Sequence, residues 1–266
     1  SLKIFILGAN GFIGSSLVEK ILAETDWQIA ALDLHQHHLE KVLNHERLEF
    51  KLGDMRQEQT WIQQKISEAE VVLPLAAIAT PATYVKDPLR IFELDFEANL
   101  EIVRYCVAKQ QQGHAVHLIF PSTSEVYGMC PDEEFDEETS VLVTGPINKE
   151  RWIYSCAKQM MDRIIYAYGE RENLSYTLFR PFNWMGPRLD NILNPQPGGS
   201  RVITQFVGNI LRGEPINLVN GGEQKRSFTD IDDGIDALIK IIENKDGPAR
   251  KQIFNIGNPA NELSIR

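Results

Sequence analysis

The feature that most constrains this chain is a short apolar run that ends in a glycine-rich turn and reopens as an amphipathic stretch. Lys3–Leu7 reads KIFIL, apolar and β-rich, as expected of a strand buried on both faces of a parallel sheet. Gly8-Ala9-Asn10-Gly11-Phe12-Ile13-Gly14 follows, and residues 15–23 then have helical amphipathicity. Glycine at 8 permits the tight turn, glycine at 11 lets backbone approach a diphosphate, and glycine at 14 allows helix and strand to pack closely. The helix start adds unpaired N–H groups suited to phosphate. A second strand over residues 28–32 ends at Asp33, about twenty residues after Gly14. A carboxylate there accepts both ribose hydroxyls of NAD and repels the 2′-phosphate of NADP. These residues predict an α/β protein with a doubly wound parallel sheet that binds NAD. The candidate cofactor contacts are Gly8, Asn10, Gly11, Phe12, Ile13, Gly14 and Asp33.

Further strands are expected at residues 48–51, 71–76, 116–120, 175–179, 216–218 and 252–256. The third ends in Gly53-Asp54-Met55, where Asp54 either accepts a hydrogen bond from an adenine amino group or closes a turn. The fourth runs through Leu75 and Ala76 into a loop of small residues, 77–81, suited to passing close under a cofactor. Helices are expected at 61–69, 88–109, 151–171, 202–212 and 235–244. The second of these carries Phe92, Phe96, Leu100 and Val103 on one face, and Glu93, Asp95 and Glu97 read as its solvated side. His114 and His117 read as surface residues beside a polar connector, and residues 190–201, rich in Pro, Gly and Asn, read as a mobile loop.

Two stretches carry chemistry. Tyr154-Ser155-Cys156-Ala157-Lys158 puts Tyr154 and Lys158 one helical turn apart on one face. A free phenol titrates near pH 10, so it is a poor base at neutral pH, and a cation beside it favours the phenolate. Such a pair can deprotonate a sugar hydroxyl while hydride leaves the same carbon, with the Lys also on a cofactor ribose. The same spacing also occurs wherever a packed Tyr precedes a surface Lys. The second stretch, Pro121-Ser122-Thr123-Ser124-Glu125, lies at the carboxyl end of the fifth strand, where ligands bind in such sheets. Thr123 or Ser124 can hydrogen-bond the hydroxyl that Tyr154 deprotonates. Glu125 is either a carboxylate over the reacting sugar or a turn residue. Downstream, Asn183 offers an amide, Arg188 a charge, and Lys225-Arg226 a cation pair in which Arg226 can grip a diphosphate.

A net charge of −10 argues against a nucleic-acid or anionic-membrane partner. Cys106, Cys130 and Cys156 lack metal-ligand spacing, so no metal site is expected, and their scatter fits a reducing compartment. With no signal-like or membrane-spanning segment evident, the expected location is cytoplasmic.

The G-x-x-G-x-x-G spacing is typical of the extended short-chain dehydrogenase/reductase superfamily. IATPATY (78–84), LRIFELDF (89–96), FPSTSEVYGMC (120–130), RWIYSCAKQ (151–159), LFRPFNWMGPRLDN (178–191) and QKRSFTDIDDGI (224–235) narrow the likeness. Across residues 3–264 the chain resembles the ArnA-type decarboxylase family, which belongs to the 4-amino-4-deoxy-arabinose pathway of lipid A modification and polymyxin resistance. The resemblance implies a Rossmann-type NAD-binding domain over 1–182. It places a smaller, mainly substrate-binding lobe over 183–266, with some segments returning to the first domain. It also implies NAD-dependent oxidative decarboxylation of UDP-glucuronic acid to UDP-4-keto-pentose. Tyr154 would be the base for the C4 hydroxyl and Lys158 its activator. Glu125 would act in decarboxylation, and Ser124 and Thr123 would contact the sugar. Ala79, Tyr84, Arg151, Asn183, Lys225 and Arg226 would be further substrate contacts, and Asp54, Met55, Leu75 and Ala76 further NAD contacts. A homodimer or higher homo-oligomer through helices 90–109 and 153–171 is implied as well.

The family extends beyond the counterpart of Arg266, and a Tyr and a proton-donating Arg in that extension complete the sugar site. The chain carries no formyltransferase half, and its 110–118 stretch is longer than the family's. Other NAD-dependent nucleotide-sugar enzymes, a UDP-xylose synthase or a 4-epimerase, share the first half-reaction. A non-catalytic NAD-binding protein is the reading from a different class.

Overall fold

The computed structural model describes residues 1–78, 81–190 and 202–265. Its first half alternates strand and helix: β1 (Lys3–Leu7), α1 (Phe12–Glu24), β2 (Gln28–Asp33), β3 (Leu48–Leu52), α2 (Gln59–Glu68) and β4 (Val71–Pro74). Then come α3 (Pro81–Lys86), α4 (Pro88–Ile91), a π turn (Phe92–Ala98), α5 (Asn99–Gln111), β5 (His117–Pro121), α6 (Trp152–Glu172) and β6 (Ser175–Pro181). The last part holds β7 (Trp184–Met185), α7 (Val202–Arg212), β8 (Lys225–Ser227), β9 (Thr229–Asp230), α8 (Ile231–Glu243), β10 (Gln252–Ile256) and β11 (Glu262–Ser264).

Seven strands form one sheet in the order β10-β6-β5-β4-β1-β2-β3, and all its pairs are parallel. Strand order reverses beside β1, which lies between β4 and β2, and ligands bind at such switch points, beyond the carboxyl ends of the strands. The strand period of two divides β1 between two cores. Ile4 and Ile6 pack with Leu17, Val18 and Ile21 of α1 and Ile235, Leu238 and Ile242 of α8. Phe5 and Leu7 pack with Ile62 and Ile66 of α2, Ile102 and Val103 of α5, and Met161 and Ile165 of α6. Both faces of the sheet are thus covered, which is why its strands read as continuous apolar runs.

Much of the chain after residue 183 returns to this sheet. β10 pairs with β6, and α8 packs in the same apolar cluster as α1. Outside this sheet the described residues form the parallel pair β7–β9, the antiparallel pair β8–β11 and the helix α7. Residues 216–218, expected as a strand, form none; Ile216 and Leu218 are exposed and a 3-10 turn, Val219–Gly222, follows. Most of the expected loop at 190–201 lies outside the described residues. No helix of the described residues is long and apolar enough to cross a membrane.

The helix expected over 88–109 is interrupted. An i→i+5 turn over Phe92–Ala98 adds a residue to the helical repeat and shifts the buried face. Phe92 consequently stands exposed, whereas Asp95, expected in solvent, is fully buried; Glu93 and Glu97 are exposed as expected. Leu89 and Phe92 beside the turn, and Met160 and Tyr166 on α6, are large apolar side chains left exposed.

His114 is exposed, but His117 is not a surface residue. It opens β5, with Nδ1 2.6 Å from Ser175 Oγ and Nε2 2.8 Å from Thr177 Oγ1. Because Thr177 donates its hydroxyl proton to Ala249 O, Nε2 is the donor to Thr177 and neutral Nδ1 accepts from Ser175. Burial pushes the imidazole down to about 4, with the Arg250 charge acting in the same direction. A depressed histidine stabilises the fold above its ordinary pKa near 6.5, and that contribution fades as pH falls towards 4. A shift of this size corresponds to about 3 kcal/mol. In urea melts, the stability gap between wild type and His117→Asn is expected to shrink between pH 7 and pH 4.5. A gap that did not change with pH would refute the assignment.

Candidate active site

The turn between β1 and α1 is shaped by close approach. Gly8 has φ +79°, and a Cβ on it would lie 2.6 Å from Ala76 N and 2.8 Å from Leu75 C. Glycine is therefore required both for the left-handed backbone and for room. This contact brings Leu75 and Ala76, beyond β4, against the turn. A Cβ on Gly14 would collide with Gly8 O, whereas one on Gly11 would meet only Gly8 O, at 3.2 Å. Gly11 is exposed to solvent, and the first N–H groups of α1, at Phe12, Ile13 and Gly14, have no partner within the helix. These features fit a dinucleotide diphosphate. Asp33 accepts Asn10 N–H at 2.8 Å and His35 N–H at 3.2 Å, one on each oxygen, which leaves further lone pairs for ribose hydroxyls.

The sequence reading missed how Asn10 is held. Its side-chain oxygen accepts His38 N–H at 2.7 Å, its amide nitrogen lies 3.4 Å from His37 Nδ1, and its carbonyl lies 2.9 Å from His38 Nδ1. Asp54 plays a turn role: it accepts Arg56 N–H at 2.8 Å, a bond that holds its carboxyl below the usual range. The Met55 side chain packs in the core with Phe5 and Leu7.

The second cluster lies beyond β5. Thr123 Oγ1 accepts Glu125 N–H at 3.2 Å and so caps a 3-10 turn, Ser124–Tyr127, on which Ser124 and Glu125 stand. Tyr84, buried on α3, donates to Glu125 Oε2 at 3.3 Å. Its ring stacks on Tyr154 with centroids 4.5 Å apart and planes 10° apart. One turn further along α6, Lys158 is 1% exposed. Its ammonium donates to Pro121 O at 2.9 Å and lies 5.1 Å from the centre of the Phe120 ring. Tyr84, Thr123, Ser124, Glu125, Tyr154 and Lys158 are therefore gathered beyond the carboxyl end of β5.

The electrostatics differ from expectation. Lys158 was expected to lower Tyr154, but burial pushes the phenol up, and the Glu125 and Asp95 carboxylates push the same way. Burial likewise lowers Lys158, opposed by Asp95 and Asp162. Burial thus shifts both members of the pair towards their neutral forms, with the carboxylates acting alongside it at Tyr154 and against it at Lys158.

Asp162 and Arg180 form a buried support that sequence reasoning missed. Arg180 donates to Asp162 Oδ2 at 3.2 Å and to Tyr127 OH at 2.8 Å, and Ser122 donates to Asp162 Oδ2. The available signal was the spacing of Tyr154, Lys158 and Asp162, which repeats every four residues along one face of α6.

The other expected substrate contacts have partners of their own. Arg151 is exposed at the start of α6, its guanidinium 4.8 Å from the centre of the Trp152 ring. Asn183, with φ 47°, donates to Ser227 O at 2.8 Å and so ties its turn to β8. Lys225 and Arg226 are exposed on β8, and Arg226 folds back on Lys225 O at 2.8 Å. Arg188 is engaged in an ion pair with Glu19 of α1 at 2.6 Å. Ala79 lies outside the described residues.

Known proteins match the chain over nearly its whole length. The NAD dependent epimerase/dehydratase family matches residues 4–257. The chain belongs to that family. NAD is accordingly its cofactor, and it is an enzyme of the NAD-dependent epimerase/dehydratase kind. Among solved structures, PbgP3 protein from Burkholderia pseudomallei is 57% identical with a TM-score of 0.90, over 99% of this chain and 77% of that one. A UDP-N-acetylglucosamine 4-epimerase from Methanobrevibacter ruminantium M1, in complex with UDP-N-acetylmuramic acid, is 24% identical with a TM-score of 0.83, covering 100% and 79%. A UDP-glucuronic acid 4-epimerase from Bacillus cereus, in complex with UDP-glucuronic acid and NAD, is 23% identical with a TM-score of 0.82, covering 99% and 80%. The last two show a shared fold.

Proposed function

We propose that this member of the family oxidatively decarboxylates UDP-glucuronic acid to UDP-4-keto-pentose. The observation that carries the reading is the Tyr84–Glu125 hydrogen bond next to the stacked Tyr84–Tyr154 pair. It sets a carboxylate and an acid–base phenol at one place. The motif resemblance to the ArnA-type decarboxylases supports the reading and, with it, a role in modifying lipid A. The UDP-glucuronic acid bound by the Bacillus cereus relative is the same substrate class.

The Gly8–Gly14 turn and Asp33 would hold NAD⁺, which when bound would supply the acceptor for the hydride that leaves C4. Tyr154 takes the proton of the C4 hydroxyl, Thr123 and Ser124 orient that hydroxyl, and Lys158 holds positive charge beneath the phenol. Oxidation leaves a carbonyl β to the C6 carboxylate. Loss of CO₂ then moves the C5–C6 bonding pair onto the C4 oxygen as an enolate, and C5 takes up a proton. Glu125 acts in this second step. Arg226 and Lys225 meet the diphosphate, with Arg151 and Asn183 as further contacts.

The test mixes full-length protein with NAD⁺ and UDP-glucuronic acid, follows NADH by absorbance, and resolves the nucleotide sugars. Accumulation of NADH with UDP-4-keto-pentose is the expected result. UDP-xylose without net NADH, or a 4-epimer, would overturn the decarboxylase reading.

The carboxylate of Asp33 is the proposed barrier to NADP. A unit-charge repulsion at about 4 Å costs about 1–4 kcal/mol between aqueous and near-surface screening. Asp33→Asn keeps an acceptor for Asn10 N–H and is expected to narrow the preference for NAD over NADP by about tenfold or more in binding titrations. An unchanged preference would count against this role.

A further inference from the structure

Asn10 is the only polar side chain in the Gly8–Gly14 turn, and it is buried. Its N–H goes to Asp33 Oδ2 at 2.8 Å. Both of its oxygens go to one residue. The side-chain oxygen accepts His38 N–H at 2.7 Å, and the carbonyl lies 2.9 Å from His38 Nδ1. A carbonyl can only accept, so Nδ1 of His38 carries a proton and donates it. His35 N–H, 3.2 Å from Asp33 Oδ1, adds a third bond from the same stretch to this end of the sheet.

The stretch holds three histidines, His35, His37 and His38, but they are not a metal centre. Among the described residues, no group of three or more His, Cys, Asp or Glu side chains could hold a metal ion. His35 and His37 are exposed, whereas His38 is half-buried. The 3-10 turn that carries it, His37–Leu39, is anchored by Leu39, which is fully buried in one apolar cluster with Leu17 and Val18 of α1. His38 therefore reaches Asn10 from a fixed support.

What His38 grips is a peptide plane. The carbonyl of Asn10 and the N–H of Gly11 belong to one rigid unit. A ring bond to that carbonyl thus fixes where the Gly11 N–H points, which is towards Gly8 O at 3.2 Å. Upstream, Gly8 N–H ties the turn to Leu32 O of β2 at 2.9 Å. Beyond that tie the side chains of Asp33 and His38 hold the Asn10 backbone, one through its N–H and the other through its carbonyl.

We infer that His38 is a positioning residue for the cofactor: its ring and its backbone clamp Asn10 and so hold the Asn10–Gly11 peptide, and with it the diphosphate turn, in the shape that receives NAD. A turn already in its bound shape has less freedom to lose when ligand arrives, so the clamp acts on affinity. The inference rests on NAD as the cofactor and on the turn as its diphosphate site, and it does not depend on the reaction that follows.

Calorimetric titrations of the full chain with NAD and with ADP-ribose test it. His38→Ala removes the ring bond and keeps the backbone N–H. It is expected to weaken both ligands about fivefold, the scale of one neutral hydrogen bond. His38→Asn offers an amide N–H near the place of Nδ1 and is expected to restore affinity close to wild type. In the ligand-free protein, the Gly11 N–H is expected to exchange with solvent faster in His38→Ala and at the wild-type rate in His38→Asn. A general loss of stability would not follow this pattern, because asparagine would not undo it. Unchanged affinity in His38→Ala, or equal weakening in both variants, would overturn the inference. If neither variant folds, the wild type decides. In ¹⁵N-histidine spectra assigned through the backbone, His38 is expected to carry its proton on Nδ1, and a neutral ring protonated on Nε2 alone would refute the clamp. Failure to form NADH from UDP-glucuronic acid, with these binding changes intact, would refute the proposed reaction and leave the clamp in place.

Discussion

Tyr154→Phe is expected to lower NADH formation from UDP-glucuronic acid by about a hundredfold to ten-thousandfold, the usual contribution of a positioned acid–base group. The substitution removes one oxygen and keeps the ring that stacks on Tyr84. The fold, the cofactor turn and the Tyr84–Glu125 hydrogen bond are therefore expected to survive, and the loss should fall on kcat with little change in NAD affinity. Because burial and the Glu125 and Asp95 carboxylates hold the phenol protonated, the wild-type rate is expected to rise with pH through the neutral range. The phenylalanine variant should lack that rise. If it keeps wild-type kcat, the proton goes elsewhere and the proposed chemistry at α6 is wrong.

Asp95 shows what could and could not be read in the sequence. The glycine turn was legible because its constraints are local: Gly8 needs a positive φ and room beside Ala76, and no other side chain satisfies both. The Tyr154–Lys158 face was legible for the same reason, since helical spacing fixes it. Asp95 was misread because its burial depends on the π turn, which changes the phase of the helix after Ile91 and turns Phe92 outward. A pattern was present, however: Ile91, Asp95, Asn99 and Ile102 recur at helical spacing, and all four are buried. A polar pair in an apolar stripe was the signal. The electrostatics of the pair were not legible at all. Whether Lys158 lowers Tyr154 depends on how much water and how many carboxylates surround both, and that is a property of the packed site. His117 and the Arg188–Glu19 ion pair likewise depend on partners 58 and 169 residues away.

Arg180→Met is expected to be the most destabilising of the substitutions considered. Arg180 lies on β6 with Asp162 opposite on α6, and their side chains are 4% and 6% exposed. Burial pushes the Asp162 carboxyl up; Arg180 and Ser122 oppose this, and Lys158 helps. Removing the guanidinium leaves a buried carboxylate with only Ser122 hydrogen-bonded to it, and breaking such a pair costs about 3–5 kcal/mol. It also cuts the bond to Tyr127, whose hydroxyl donates to Asn255 of β10 at 2.7 Å, so the sheet edge loosens as well. For a chain of this size the loss corresponds to a fall in Tm of roughly 6–20 °C. A carboxyl raised by burial costs nothing below its ordinary pKa near 3.8 and an increasing amount as pH climbs through its folded value. The deficit of Arg180→Met should therefore be small near pH 4 and widest above neutrality. Arg180→Met combined with Asp162→Leu replaces both charges and is expected to recover most of the lost stability. Thermal melts of the single and double variants across pH decide the matter. A double variant no more stable than Arg180→Met would mean that the stranded carboxylate is not the cause, and that Arg180 acts chiefly through Tyr127 and β10.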